Sequence, residues 1–168
     1  MPSDILIGTL LKSLAANKPG GNFFLELGTG IGLSLAWMTG GMDDSSELTS
    51  IDDDPKLTKI DSEWFGLYPL VNILCQDRTD WIKNYSGDLF DLIFADTWPG
   101  KYFDLEETLA ILKICRFYII DDINSQPNWP EGHAEKANTL IEKLESLKGF
   151  TFTQLEWSTG VILMCKIS

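Results

Sequence analysis

Glu26-Leu-Gly-Thr-Gly-Ile-Gly32 decides the fold through what flanks it. Before it, Phe23–Leu27 reads as a buried strand; after it, Leu33–Met38 begins a helix that Gly40-Gly41 ends. Strand, glycine turn and helix together open a parallel strand–helix–strand unit. Glycines in such a turn permit a tight reversal and let main-chain N–H groups approach a ligand closely. The spacing is G-x-G-x-G. A dinucleotide fingerprint needs G-x-G-x-x-G, and position 33 is leucine, which counts against NAD or FAD. No lysine follows as it does in a nucleoside triphosphate loop.

The same alternation continues outward. Ser3 to Asn17 reads as an amphipathic helix, with Leu6, Ile7, Leu10, Leu11 and Leu14 on one face, Ser3 as N-cap and Lys18-Pro-Gly-Gly-Asn22 as its stop. Downstream, strands are expected at Leu48–Asp52, Val71–Cys75, Leu89–Ala95 and Arg116–Ile120. Helices are expected at Pro55–Phe65, near Thr79–Tyr85, at Tyr102–Ile114 and at Glu131–Leu147. Phe150–Trp157 and Val161–Lys166 flank Ser158-Thr159-Gly160 as a hairpin. The expected architecture is α/β: a doubly wound, mostly parallel seven-stranded sheet ending in an antiparallel pair. At 168 residues the length prior gives one domain, 1–168, with a short N-terminal helix.

Composition narrows the function. Twenty-five acids against 13 bases leave a net charge of −12, which opposes binding to phosphate backbones and argues against a nucleic-acid partner. No window reads as a membrane span, and no basic segment followed by an apolar one marks a secretory signal. Cys75, Cys115 and Cys165 are isolated, each in or beside an apolar run, so they read as small core residues of a reduced, cytoplasmic protein. Without a C-x-x-C pair, zinc is not indicated.

Asp52 ends the second strand, where a carboxylate can accept hydrogen bonds from both ribose hydroxyls of a nucleoside. Asp77, past the third strand, is placed either to meet an adenine amino group or to cap the next helix. With these acids the glycine turn resembles the class I S-adenosylmethionine-dependent methyltransferases: Glu26, Gly28, Gly30 and Gly32 match their E/D-x-G-x-G-x-G motif, Asp52 their ribose acid and Asp77 their adenine-side acid. The strand count and terminal hairpin are similar to their Rossmann-like fold over the whole chain. The resemblance implies S-adenosylmethionine as cofactor, with Glu26 near its amino group. The implied cofactor-binding set is Glu26, Gly28, Thr29, Gly30, Gly32, Asp52, Asp53, Asp77, Arg78 and Asp96.

Ligands of open α/β sheets bind beyond the carboxyl ends of the strands. Asp96 ends the fourth strand and Asp121-Asp122 the fifth. Three such carboxylates repel unless protonated, paired or bridged by a cation. The arrangement resembles the catechol and caffeoyl-coenzyme A type of O-methyltransferase, in which an Asp and an Asp-Asn pair at these ends hold Mg²⁺. The resemblance implies Mg²⁺ on Asp96, Asp121 and Asp122, with Asp122 standing where Asn is usual. Trp98 and Tyr102 keep that family's spacing from Asp96. Its catalytic lysine, three residues after the first Asp, is absent: Pro99 is there, and Lys101 is displaced. Lys101 and His133, the single histidine, are therefore the candidate proton acceptors. Trp98 and Trp129 flank the same strand ends, to line a flat aromatic substrate, to cover the cofactor or to pack in the core. Few residues precede the first strand, so the lid is expected to be small or supplied by a second subunit of a homodimer.

The activity expected is methyl transfer to a small-molecule acceptor, most readily a hydroxyl oxygen. An aminopropyl transferase of the spermidine synthase type and a non-catalytic cofactor-binding module are the alternatives. The Asn/Asp-Pro-Pro-aromatic motif of nucleobase N-methyltransferases is missing, since Thr97-Trp98 follows Asp96.

Overall fold

The structure is a computed structural model that describes residues 4–17 and 20–168. The cap expected at Ser3 and the stop at Lys18-Pro19 lie outside the described residues. α1 (Ile5–Ala15) starts after Asp4, whose carboxylate accepts from the N–H groups of Leu6 and Ile7 at 2.9 and 3.1 Å. Its buried face is Ile7, Leu11 and Ala15.

β1 (Phe23–Leu27), α2 (Leu33–Thr39), β2 (Glu47–Asp52), α3 (Pro55–Phe65), β3 (Val71–Cys75), α4 (Arg78–Asn84) and β4 (Phe90–Ala95) follow in alternation. After them come α5 (Leu105–Ala110), β5 (Leu112–Ile120), α6 (His133–Glu145), β6 (Phe150–Leu155) and β7 (Val161–Lys166). The seven strands lie in the order β3-β2-β1-β4-β5-β7-β6. The first five are parallel, and β7 runs antiparallel to both β5 and β6.

The order reverses at β1, which lies between β2 and β4. Leu27 pairs with Ile51 on one side and Ala95 on the other, and Ala95 pairs with Ile120. The carboxyl ends of four strands therefore stand level. That is the topological switch point where this kind of sheet opens a crevice.

Side chains alternate across the sheet and feed two cores. Leu25, Leu27, Ile93, Ala95, Tyr118 and Ile120 face one; Phe24, Leu48, Leu92, Phe94 and Ile119 face the other. β4 is buried at every position, as a strand covered on both faces must be. At the opposite end of the sheet, buried Asp91 accepts from the Phe23 N–H at 3.0 Å, from Lys113 Nζ at 2.6 Å and from Arg116 Nε. It thereby ties β1, β4 and β5 together. Burial works against its charge, but those bonds hold the carboxyl below its ordinary range.

Three expectations need correction. The helix read at Tyr102–Ile114 is only Leu105–Ala110, and β5 starts at Leu112 rather than Arg116. Before the helix, the Trp98 carbonyl accepts from the N–H groups of Lys101, Tyr102 and Phe103, a compact turn closed by the Tyr118 hydroxyl donating to the Gly100 carbonyl. After it, Lys166 Nζ donates to the carbonyls of Leu109 and Leu112, both at 2.9 Å, and so stops the helix. Cys115 takes a left-handed φ of 61°, and the pairing with β4 slips between Phe90 and Leu92. The cysteines are not core residues: Cys75 and Cys115 are exposed, Cys165 is half-buried, and all three are free thiols. No helix among the described residues is long and apolar enough to cross a membrane.

Candidate active site

The crevice at the switch point is a cleft of about 300 Å³ lined by Gly28, Thr29, Gly30, Ile31, Leu33, Ser34, Asp52, Arg78, Asp96 and Thr97. One wall is the glycine turn. Gly28 has φ 98°, and a Cβ there would stand 3.1 Å from Thr97 Cβ and 3.3 Å from the Asp96 carbonyl. Any side chain at 28 would wedge β1 from the β4 end. Gly30, at φ 58°, is different: a Cβ there would meet nothing within 4 Å, so the turn has open space beside it.

The Asp52 carboxylate is fixed from three sides. Oδ2 accepts from the Gly30 N–H at 3.1 Å, and Oδ1 accepts from the Asp54 N–H at 3.0 Å and faces Arg78 Nη1 at 3.2 Å. The same Arg78 nitrogen meets Asp53 at 3.0 Å, so Asp53 anchors the arginine from outside the cleft wall. Asp77 is exposed and does not line the cleft; it caps α4 by accepting from the Asp80 N–H at 2.8 Å.

Behind the turn lies Glu26, wholly buried. Ser50 donates to its Oε2, Thr29 Oγ1 lies 2.6 Å from Ser50 Oγ, and the Ser34 hydroxyl is close enough to favour its ionised form. Its other oxygen, Oε1, is buried with no hydrogen-bond partner. Burial pushes its pKa up to about 8 against the pull of Ser34 and Ser50, with Asp96 and Asp61 adding to the rise.

Asp61 escaped the sequence reading. It lies on the buried face of α3 at 1% exposure, its Oδ1 only 2.6 Å from where a Cβ on Gly32 would stand, and its Oδ2 has no partner. Burial and then Asp52 raise its pKa to about 6. The signal was available: at helical spacing Asp61 falls on the apolar stripe with Leu57 and Phe65, where an acid is out of place.

The acidic strand ends are arranged otherwise than expected. Asp96 lines the cleft, and burial, then Asp121, raise its pKa to about 7 while Lys101 opposes the rise. Asp121, buried, is turned toward the hairpin: Oδ1 accepts from the Thr159 hydroxyl at 2.5 Å and from the Asp122 N–H at 2.6 Å. Asp122 takes a left-handed φ of 58° and keeps Oδ1 buried without a partner. Between the ends of β4 and β5 runs Lys101, 3% exposed, whose Nζ donates to the carbonyls of Asp121 at 2.5 Å and Asp122 at 3.0 Å. Burial lowers its pKa, with Asp96, Asp122 and Asp121 working to keep it charged. Among the described residues no group of three or more His, Cys, Asp and Glu side chains is disposed to hold a metal ion. Asp96, Asp121 and Asp122, from which a Mg²⁺ set was expected, are not disposed as such a group: Oδ1 of Asp121 is taken up by the hairpin, and the Lys101 ammonium binds the main-chain carbonyls of Asp121 and Asp122.

His133 opens α6 and lies outside the switch-point cleft. Its Nε2 is 3.3 Å from the Tyr102 hydroxyl, and its ring packs against Trp129 (centroids 4.3 Å), Tyr102 (5.4 Å) and Trp98 (5.7 Å). Nδ1 is buried without a partner, and burial, then Lys101, lower its pKa. A second cleft of about 360 Å³ opens beyond this cluster, with Trp98, Lys101, Tyr102, Phe103 and Lys136 among its lining.

No protein-family model matches the chain. A protein of Mycobacterium leprae named "Putative O-methyltransferase" is 33% identical over 119 residues, 68% of this chain and 53% of that protein. A protein of the same name from Mycobacterium ulcerans is 34% identical over 97 residues, 55% of this chain and 43% of that protein. The chain thus spans about half the length of the curated relatives it matches. In structure it is similar to the O-methyltransferase TomG from Streptomyces achromogenes in complex with SAM, at a TM-score of 0.84, 19% identity and coverage of 99% of this chain and 82% of that one. It is also similar to the O-methyltransferase from Bacillus cereus in complex with SAH, at 0.81, 19%, 98% and 82%. The resemblance read from the sequence is borne out, and the fold is the seven-stranded, Rossmann-like fold of these methyltransferases.

Proposed function

We propose that the chain binds S-adenosylmethionine in the switch-point cleft and transfers its methyl group to the hydroxyl oxygen of a small acceptor. The observation that carries this reading is Glu26. A buried carboxylate oxygen without a partner costs about 1–3 kcal/mol or more. It is retained under the glycine turn because a cationic amino group completes it. The other groups agree: Asp52 is held in place by Gly30, Asp54 and Arg78, ready for ribose hydroxyls, and the absent Cβ of Gly30 leaves space beside the turn for the ligand. The relatives' names and the SAM and SAH in the similar structures point the same way.

The cofactor supplies a methyl already activated as a sulfonium, so the protein's task is alignment and proton transfer. Asp96 is the residue we assign to the proton. It lines the cleft, and a carboxyl with a pKa near 7 is matched to a base working at neutral pH. Lys101, whose ammonium serves two carbonyls, and His133, packed among aromatic rings, are displaced from that role. Mg²⁺ has no part in this reading, because the carboxylates do not fit it. The exposed free thiols of Cys75 and Cys115 suit a reducing cytoplasm.

Calorimetry separates the parts of the cofactor. Glu26→Gln is expected to weaken S-adenosylhomocysteine about 10-fold to 100-fold, the worth of a hydrogen bond to a charged group. It should leave 5′-methylthioadenosine, which lacks the amino acid portion, unchanged. Equal loss for both ligands would detach Glu26 from the amino group.

A further inference from the structure

We infer that Lys101 is an internal cation: its ammonium occupies the place between the β4 and β5 ends that a divalent ion was expected to fill, and there it binds the acceptor oxygen. The inference rests on the methyl-transfer reading for its last clause only. Three observations carry the placement. First, Lys101 Nζ donates to two successive carbonyls, those of Asp121 and Asp122. In an extended strand successive carbonyls point to opposite sides. The left-handed φ of 58° at Asp122 breaks that alternation and aims both at one point. Second, Lys101 is 3% exposed. An ammonium that deep persists only where acceptors and negative charge meet it, and Asp96, Asp121 and Asp122 supply the charge. Third, an ammonium has three donors and two are spent, which leaves one N–H for an incoming oxygen.

The proton and electron balance needs no metal. The acceptor hydroxyl gives its proton to the Asp96 carboxylate. Its oxygen pair forms the bond to the methyl carbon, and the carbon–sulfur bond breaks with its pair on sulfur, leaving a neutral thioether. Lys101 keeps its proton throughout and offsets the negative charge that develops on oxygen.

The test uses Mn²⁺ alone, titrated into the full chain and followed by the electron paramagnetic resonance of the free ion. The wild-type chain is expected to bind no Mn²⁺ with a Kd tighter than about 1 mM. Lys101→Met frees the two carbonyls and uncovers the carboxylates, so it should gain one Mn²⁺ at least about tenfold tighter, lost again when Asp96→Asn is added. Wild-type binding abolished by Asp96→Asn would overturn the inference. So would a Lys101→Met chain, folded by circular dichroism, that gains nothing. If that variant does not fold, Lys101→Gln replaces it, and the wild-type titration stands without either. Calorimetry with S-adenosylhomocysteine on the same wild-type sample reports on the cofactor reading separately. Loss of that binding would sink the methyl-transfer reading and leave the Mn²⁺ result to decide what fills the strand ends.

Discussion

Glu26, Asp61 and Asp96 converge on one glycine turn, and burial raises all three, to about 8, 6 and 7. A carboxyl raised on folding contributes stability that is complete below its unfolded pKa and is lost as pH rises through the folded one. The ligand-free chain should therefore lose stability from about pH 4 to pH 8. Asp91, which folding lowers, works at the other end: its contribution is present above its unfolded pKa and is lost in acid. Thermal unfolding across pH checks this with one variant. Asp61→Asn should raise Tm more at pH 8, where the native carboxyl is charged, than at pH 5, where it is mostly protonated. An equal effect at both would mean that the carboxyl does not titrate in this window. Saturating S-adenosylhomocysteine should flatten the decline, because an amino group on Glu26 favours its ionised form.

Asp77 shows how one residue can answer to two elements. As the α4 cap its loss costs about 0.5–2 kcal/mol. Asp77→Ala should lower Tm, whereas Asp77→Ser keeps a cap and most of the stability. If Asp77 also meets adenine, both variants weaken S-adenosylhomocysteine equally in calorimetry; if it only caps, Asp77→Ser binds like the wild type. At the far end of the sheet, Asp91→Ala leaves Lys113 and Arg116 facing one another without their acid. A buried pair broken in this way costs about 3–5 kcal/mol, which denaturant unfolding would detect. The glycine turn, the first four strands and the terminal hairpin were legible in the sequence because apolar runs bounded by glycine and acids fit only one period. The border of α5 and β5 was not. Leu105–Ile120 satisfies both periods, and what settles it is Lys166, brought to Leu109 and Leu112 by the last strand. The site divides similarly. Asp52 follows from its place at the end of the second strand, and Glu26 from the resemblance its glycine motif carries, whereas the reach of Lys101 to the carbonyls past β5 depends on the compact turn at Trp98–Phe103.

Across the whole molecule, a net charge of −12 leaves no long-range attraction for a polyanion. The chain should not retain duplex DNA at physiological salt, and a salt-sensitive micromolar complex in a gel shift would refute that. The same field favours cationic ligands, and it is focused at the switch-point cleft: Asp52 and Asp96 line it, Glu26 and Asp61 lie behind the glycine turn, and Arg78 is the one basic residue in its lining, paired with Asp52 and Asp53. The central claim is that this cleft is built for an S-adenosyl ligand, and titration calorimetry with S-adenosylhomocysteine against NAD tests it most directly. The account predicts one S-adenosylhomocysteine per chain, no measurable NAD binding, and a loss of about 1–3 kcal/mol in Asp52→Ala. NAD bound as tightly as S-adenosylhomocysteine, or an Asp52→Ala chain with undiminished affinity, would contradict it.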